Sequence, residues 1–299
     1  MDLLIIGGSG FVSGTMVRDA LEAGHRVWAL SRGNKPVPDG ATPLVADRHD
    51  PEAFARAVAE AHVHWDLVVD CIGFTADDAQ QDLQTLSDRA NHLVFISTDM
   101  VISGVDRPWC IDETYARFDQ NPYGANKRAA EQVLIDAGVD ALPWTILRPG
   151  HIYGPGSQPG CLPHHGRDGD LLEKMAAGQP LQLVGGGHFL QQPIFMHDLA
   201  AMAFSCLGNP RASGEIYFAP GPDILASWRY YRIIADVLGV ALNVTETSIS
   251  AYLAAHPQQA GFCCHRVYDD AKARAHGLAM PATPIAEGLA HHVHALQQA

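Results

Sequence analysis

Tyr123 and Lys127 stand four residues apart in Asn121-Pro-Tyr-Gly-Ala-Asn-Lys127, downstream of Phe95-Ile-Ser97-Thr98-Asp99. Asn121 is a good helix N-cap and Pro122 a good first helical residue. Tyr123 is therefore expected in the first turn of a helix, with Lys127 one turn on and on the same face. A phenol with a pKa of about 10 is a poor base at neutral pH, but a nearby ammonium and a helix N-terminus both favour the phenolate. Such a tyrosine can exchange a proton with a hydroxyl or carbonyl, and the Thr98 hydroxyl, at the end of a neighbouring strand, would hold the same oxygen. Tyrosine and lysine at this spacing occur by chance in many helices. The pair takes its meaning from its company.

That company begins at the N-terminus, where the apolar run Leu3–Ile6 enters Gly7-Gly8-Ser9-Gly10 and a helical pattern follows at once. A phosphate can approach backbone closely only where no Cβ intrudes, and the helix start then offers free N–H donors. Gly7 and Gly10 fit the first two positions of a dinucleotide-binding turn, with Ser13 and Gly14 at the third. Taken alone, this is also a common strand-to-helix turn. About twenty residues on, Ser31-Arg32 with Lys35 nearby offers a hydroxyl and cations, which suit the 2′-phosphate of NADP; a solvated loop arginine is the plain alternative. Asp47 would accept from an adenine amine, or Asp47-Arg48 is a surface turn. Asp70-Cys71-Ile72-Gly73 ends a strand where ligands sit in open α/β sheets, although Cys71 also suits a small core position.

Strand-length apolar runs at Leu3–Ile6, Arg26–Leu30, Pro43–Ala46, Leu67–Cys71, His92–Ser97 and Trp144–Leu147 alternate with helical patterns at Phe11–Ala23, Pro51–Ala61, Ala76–Arg89 and Pro122–Ala137. Strands apolar throughout, alternating with helices, predict an α/β fold with a doubly wound parallel sheet. With 299 residues, a smaller appended lobe is expected. The six cysteines show no C-x-x-C spacing and no secretory segment precedes the first strand, so a reducing cytoplasm is expected. No apolar run approaches the roughly 20 residues of a membrane span. A net charge of −13 disfavours nucleic acid.

The glycine turn, Ser97-Thr98, Tyr123-x-x-x-Lys127, Leu147-Arg-Pro149-Gly-His151-Ile152-Tyr-Gly-Pro-Gly156 and Phe195-Met-His-Asp198-Leu-Ala200 together resemble the extended short-chain dehydrogenase/reductases over nearly the whole chain. The resemblance implies a Rossmann domain from residues 1–148 and about 193–220, and a substrate lobe from about 149–192 and 221–299. It implies NADP as cofactor, with NAD as the alternative, a small-molecule substrate and a homodimer. The implied catalytic set is Thr98, Tyr123 and Lys127. The implied cofactor contacts are Gly7, Ser9, Gly10, Phe11, Val12, Ser31, Arg32, Asp47, Arg48, Cys71, Ile72, Gly73, Lys127, Pro149 and Ile152. The implied activity is hydride transfer on a secondary alcohol or ketone, as a reductase or epimerase.

Departures narrow the substrate. Met100 stands where the family's dehydratases carry a glutamate, so water elimination is not expected. Gln191 stands where sugar-nucleotide epimerases carry a diphosphate-binding arginine, and His151 replaces the usual asparagine. Ile5-Ile-Gly-Gly8, Ser31-Arg-Gly33, Asp47-Arg48 and the Gln191 region look most like the branch with the chloroplast stem-loop-binding proteins, whose members can bind RNA; a catalytically weak NAD(P)-binding protein of that kind is the second reading. That branch often loses the tyrosine–lysine pair, which is kept here.

Other groups look structural. Cys161, His164, His165 and Asp168 have metal-ligand residue types without the spacing, in a stretch that suits a substrate lid. Phe262-Cys-Cys-His265-Arg266 is expected to be packing with a polar edge, or to reach an anionic substrate. Trp228, Tyr230 and Tyr231 belong to an amphipathic helix, and His291, His292 and His294 to a solvated helix end.

Overall fold

Strands that are apolar on both faces need cover on both sides, and the chain supplies it for all but the edge strand Thr42–Val45, which stays largely exposed. In the computed structural model, which describes residues 1–298, β1 (Asp2–Ile6), β2 (Arg26–Ser31), β3 (Thr42–Val45), β4 (Leu67–Asp70), β5 (Leu93–Ile96) and β6 (Trp144–Pro149) are joined by α1 (Phe11–Glu22), α2 (Pro51–Glu60), α3 (Ala76–Leu86) and α4 (Pro122–Ala137). With strand Glu215–Ala219 they form a seven-stranded sheet in the order Glu215–Ala219, β6, β5, β4, β1, β2, β3. Every neighbouring pair is parallel. The doubly wound α/β expectation holds, with element ends within a few residues of the apolar runs.

One core lies between the sheet and α1 with helix Met196–Phe204, from residues such as Ile5, Met16, Val69 and Leu199. A second lies on the other face, where Leu4, Phe54, Trp65, Leu83 and Leu134 meet. A third gathers Tyr153, Leu171, Tyr230, Tyr231 and Leu289 around helices Ser227–Leu238 and Ile285–Gln297. Local chemistry sets the helix starts. Asp50 Oδ1 caps α2 at Ala53 N (3.0 Å), and Thr75 and Asp78 cap each other's backbone at α3.

Two expectations change. His292 is fully buried, its Nε2 2.9 Å from Ser157 O, because helix Ile285–Gln297 packs onto the third core instead of ending in solvent. Trp228, expected with Tyr230 and Tyr231 to pack from one amphipathic helix, is 36% exposed, whereas Asp198 accepts from Thr283 N (3.0 Å) and Oγ1 (3.1 Å) and ties the C-terminal stretch to helix Met196–Phe204. Tyr230 and Tyr231 are buried as expected.

His92 precedes β5, buried, with Nε2 2.8 Å from Thr145 Oγ1, whose hydroxyl donates to Ala212 O. Burial lowers its pKa to about 4. Below an unfolded value of about 6.5 the unfolded chain takes up a proton that the folded chain refuses, so stability falls as pH drops from about 6.5 to about 4. At 1.36 kcal/mol per unit this is on the order of 3 kcal/mol. Urea midpoints measured across that window should fall, and His92→Gln should flatten the slope; parallel profiles for the two proteins would refute the assignment.

Candidate active site

The order of the sheet reverses between β1 and β4, and ligands of open α/β sheets sit outside the strand ends at such a point. The turn after β1 lies there. Gly7 has φ +101, and a Cβ on it would come 2.7 Å from Ile72 Cγ2, so only glycine serves. Ser13 Oγ donates to Gly7 O at 2.5 Å and accepts from Gly10 N at 3.0 Å, which fixes the turn. Phe11 and Val12 open α1, where the first N–H groups have no intrahelical partner. Gly7, Ser9, Gly10, Ser31, Arg32, Asp47, Arg48 and Ile72 line one cavity of about 370 Å3, together with Lys35.

Arg48 borders that cavity, but its guanidinium is turned away. It meets Asp70 (2.8 Å), Asp78 (3.0 Å) and Asp82 (2.8 Å), all buried. Both terminal nitrogens of the side chain are engaged with Asp70, Asp82 and the Asp78 carbonyl, so the first role of Arg48 is to tie α3 to the end of β4, in place of the cofactor contact expected of it. Asp70 Oδ1 accepts from Ile72 N (2.8 Å) and Gly73 N (2.9 Å) and so shapes the loop after β4. Cys71 takes the packing role: Sγ lies 3.6 Å from Met16 Sδ, and burial pushes its thiol pKa up.

Asn121 Oδ1 accepts from Tyr123 N at 3.3 Å, Pro122 fills the first helical position, and Tyr123 stands in the first turn of α4, 45% exposed. Lys127 is one turn on and 2% exposed. Its Nζ donates to Gly73 O at 2.6 Å and Ile96 O at 2.7 Å and lies 4.8 Å from the ring centres of Phe74 and Phe95. Burial lowers its pKa to about 8. The expected pairing of ammonium with phenolate is not what this geometry gives. Burial raises the Tyr123 pKa, opposed by a hydrogen bond with Thr98 and by the charge of Arg167.

Thr98, Tyr123, Pro149 and Ile152 come together around a cavity of about 320 Å3, with Asp99, His151, Arg167 and Arg266. Arg167 reaches across from the 157–170 stretch: its guanidinium lies 5.8 Å from the Phe11 ring centre and its Nη2 3.5 Å from Ile152 O. Met100, Tyr123 and Arg266 also border an adjoining cavity of about 640 Å3. Lys127 lies beneath both sites, joined to the cofactor side through Gly73. Among the described residues no group of His, Cys, Asp and Glu is arranged to hold a metal; His165 Nδ1 lies 2.9 Å from Asp168. No helix among them is long and apolar enough to cross a membrane.

Sequence reasoning missed a buried group at the edge of the catalytic cavity. Asp99 pairs with Arg266 and accepts from the Tyr268 hydroxyl, and the Arg107 guanidinium lies 5.0 Å from the Tyr268 ring centre. Asp99 adjoins Thr98, and the Phe262–Arg266 stretch offered Arg266; nothing in the sequence joined the two. The partners of Asp99 are more than 160 residues away. A second missed group is Glu131, fully buried on α4, which accepts from Ser97 Oγ (2.6 Å), from Arg148 Nε (2.9 Å) and Nη2 (2.6 Å), and from Arg128 Nη1 (3.1 Å).

A parallel sheet with a glycine turn at its switch point and a tyrosine–lysine helix beside it defines a dinucleotide-binding fold of the dehydrogenase kind. Residues 3–219 match the NAD dependent epimerase/dehydratase family, and the chain belongs to that family. It is 29% identical over 245 residues to 2'-dehydrokanamycin reductase of Streptomyces kanamyceticus, covering 81% of this chain and 68% of that protein. It is 29% identical to 2-alkyl-3-oxoalkanoate reductase of Stenotrophomonas maltophilia (strain K279a), covering 73% and 70%. Chloroplast stem-loop binding protein of 41 kDa b of Arabidopsis thaliana is 25% identical over 73% of this chain, and the match spans 58% of that protein. The fold superposes on the UDP-glucose 4-epimerase of Thermus thermophilus, solved with NAD, with a TM-score of 0.79 at 23% identity over the full length of both chains. The family and its reductase relatives support an NAD-dependent enzyme.

Among the described residues Glu131 is the only acidic partner of Arg148, which is itself 2% exposed. Glu131→Gln leaves that arginine without a counter-charge and should cost about 3–5 kcal/mol in urea unfolding. A loss below about 1 kcal/mol would show that the clamp does not hold α4 to the sheet.

Proposed function

We propose that the protein is an NADP(H)-preferring oxidoreductase, of reductase or epimerase type, acting on a secondary alcohol or ketone. The observation that carries this is the convergence of Thr98 and Tyr123 on one cavity with the Pro149–Ile152 backbone, at the strand edge that also carries the glycine turn. The residues of that turn fit a dinucleotide: a cradle closed to any Cβ at Gly7, unpaired N–H groups at the start of α1, and the exposed cations Arg32 and Lys35 beside Ser31. When bound, the dinucleotide supplies hydride transfer at its nicotinamide.

The chain's own residues do the rest. The Thr98 hydroxyl holds the substrate oxygen. The Tyr123 phenol gives that oxygen a proton as a carbonyl becomes an alcohol, or takes one in reverse. Burial raises the phenol pKa, and the Thr98 hydrogen bond and the Arg167 charge work against that shift where the phenol meets the substrate oxygen. Lys127 holds the β4 and β5 ends, and with them Gly73 and Thr98, in one geometry. Arg167, with its guanidinium over Phe11, can reach a bound cofactor and Tyr123 alike.

Residues 149–192 and 221–299 carry the substrate in this proposal. Buried Gln191 in place of a diphosphate-binding arginine supports a substrate without a nucleotide, in keeping with the names of the two reductases. The working unit is a cytoplasmic homodimer paired through the helices of the catalytic half.

Calorimetric titration should show NADPH binding more tightly than NADH. Arg32→Ala should weaken NADPH by roughly 10–100-fold, the worth of one charge-assisted phosphate bond. Equal affinity for both cofactors, or an unchanged R32A, would reject the phosphate assignment. Tyr123→Phe should lower kcat by about 10²–10⁴-fold while cofactor affinity is kept. Turnover that survives this change sinks the mechanism, and binding of neither cofactor by folded protein moves the RNA-binding reading forward.

A further inference from the structure

The polar atoms on the substrate side of Tyr123 are not all satisfied. Arg266, 5% exposed, spends Nη1 on Asp99 and Nη2 on Gly261 O at 3.3 Å, while its Nε is buried without a partner. His151 Nε2 is buried and unpartnered in the same cavity. Arg107, 9% exposed, has no hydrogen-bond partner on any of its three guanidinium nitrogens among the described residues; its only aromatic contact is the Tyr268 face. Buried polar groups in folded proteins almost always find partners, and buried cations more so, because desolvation without compensation is expensive. Two of these groups, on Arg266 and His151, line one cavity, with Arg107 behind them against Tyr268, and together they mark a place where a ligand completes the bonding.

The charge count says which kind of ligand. Arg107 and Arg266 carry two positive charges, and Asp99 is the one carboxylate paired with either of them; the remaining cation of the cavity, Arg167, lies over Phe11 at the glycine turn, where a dinucleotide brings its own negative charge. Tyr268 adds no charge, since burial pushes its phenol pKa up. One positive charge is left over. A carboxylate, with a single negative charge, balances it; a phosphate, at about −1.5 to −2, would overshoot.

Arg266 stands where the two cavities meet, sharing that border with Tyr123 and Met100. Ile102, Val105, Phe118 and Phe262 give the larger cavity an apolar portion. We propose that the substrate is a hydroxy or keto acid whose carboxylate seats against Arg266, backed by Arg107 and bonded by His151, with an apolar chain running into the larger cavity. Arg266 and Arg107 then set specificity without touching the reacting bond. His151 suits the role because burial lowers its pKa to about 3, leaving a neutral ring that bonds the carboxylate without adding charge.

This rests on the redox reading above, and the experiment separates the two. Protein saturated with NADP+ is titrated with 3-hydroxyoctanoate, with its methyl ester, and with inorganic phosphate. The acid is expected to bind at least tenfold more tightly than the ester, and phosphate to compete weakly. Arg107→Met should shrink the preference to less than threefold, and Arg107→Lys, which keeps the charge, should restore most of it. Equal binding of acid and ester, binding of neither, or tight binding of phosphate alone overturns the carboxylate subsite while leaving the redox reading intact. If NADP+ does not bind, the titration is run on protein saturated with NAD+; failure to bind either cofactor removes the redox reading and this one with it. Should R107M not fold, the comparison of acid with ester on the unmodified protein still decides.

Discussion

The structure depends most on two hydrogen bonds from one buried ammonium. Lys127 Nζ donates to Gly73 O, just beyond β4, and to Ile96 O, at the end of β5. The same loop is held from below by Asp70, whose Oδ1 accepts from Ile72 N and Gly73 N, and Asp70 is paired with Arg48. A line of buried charge thus runs under both cavities, from the adenosine side to the catalytic threonine. Desolvation makes each of these charges costly alone and forces each to find a partner. Asp82 shows the limit: burial, with Asp70 beside it, pushes its pKa up, against the pull of Arg48.

Tyr123, Lys127 and Glu131 fall on one stripe of α4 at successive turns. The stripe passes from a half-exposed phenol to a buried ammonium to a fully buried carboxylate. An apolar stripe would pack as well in area, but it would tolerate a helix sliding along the sheet. Directional bonds to Ile96 O, Ser97 Oγ and Arg148 admit one register only. The placement of the phenol opposite Thr98 is therefore set by groups that never touch a substrate.

The parts of this arrangement legible in the sequence are those that depend on local pattern. Strand and helix positions followed from apolar runs and from caps such as Asn121-Pro122, because periodicity and capping act within one turn. The partners of buried charges did not. Arg48 reads as a turn or cofactor residue until α3 brings Asp78 and Asp82 against it. Lys127 reads as a partner of Tyr123 because its real acceptors are backbone carbonyls, which carry no residue signature. His292 reads as solvated because Ser157, which it meets, is 135 residues away. Asp99 and Arg266 come together only when the C-terminal stretch pairs beside Gln191.

Charge placement carries the last step. A chain with a net charge of −13 would be expected to surround its cavities with carboxylates. The catalytic cavity instead has one acid, Asp99, against Arg167 and Arg266. Arg167 faces the glycine turn through Phe11, whereas Arg266 faces the adjoining cavity. A dinucleotide brings its own negative charge to the first of these. The second is already paired with Asp99, so the charge left to be balanced with the substrate is that of Arg107 behind Tyr268, which has no hydrogen-bond partner among the described residues. In a low-dielectric site that balance discriminates strongly, because a neutral analogue would leave a buried cation unpaired.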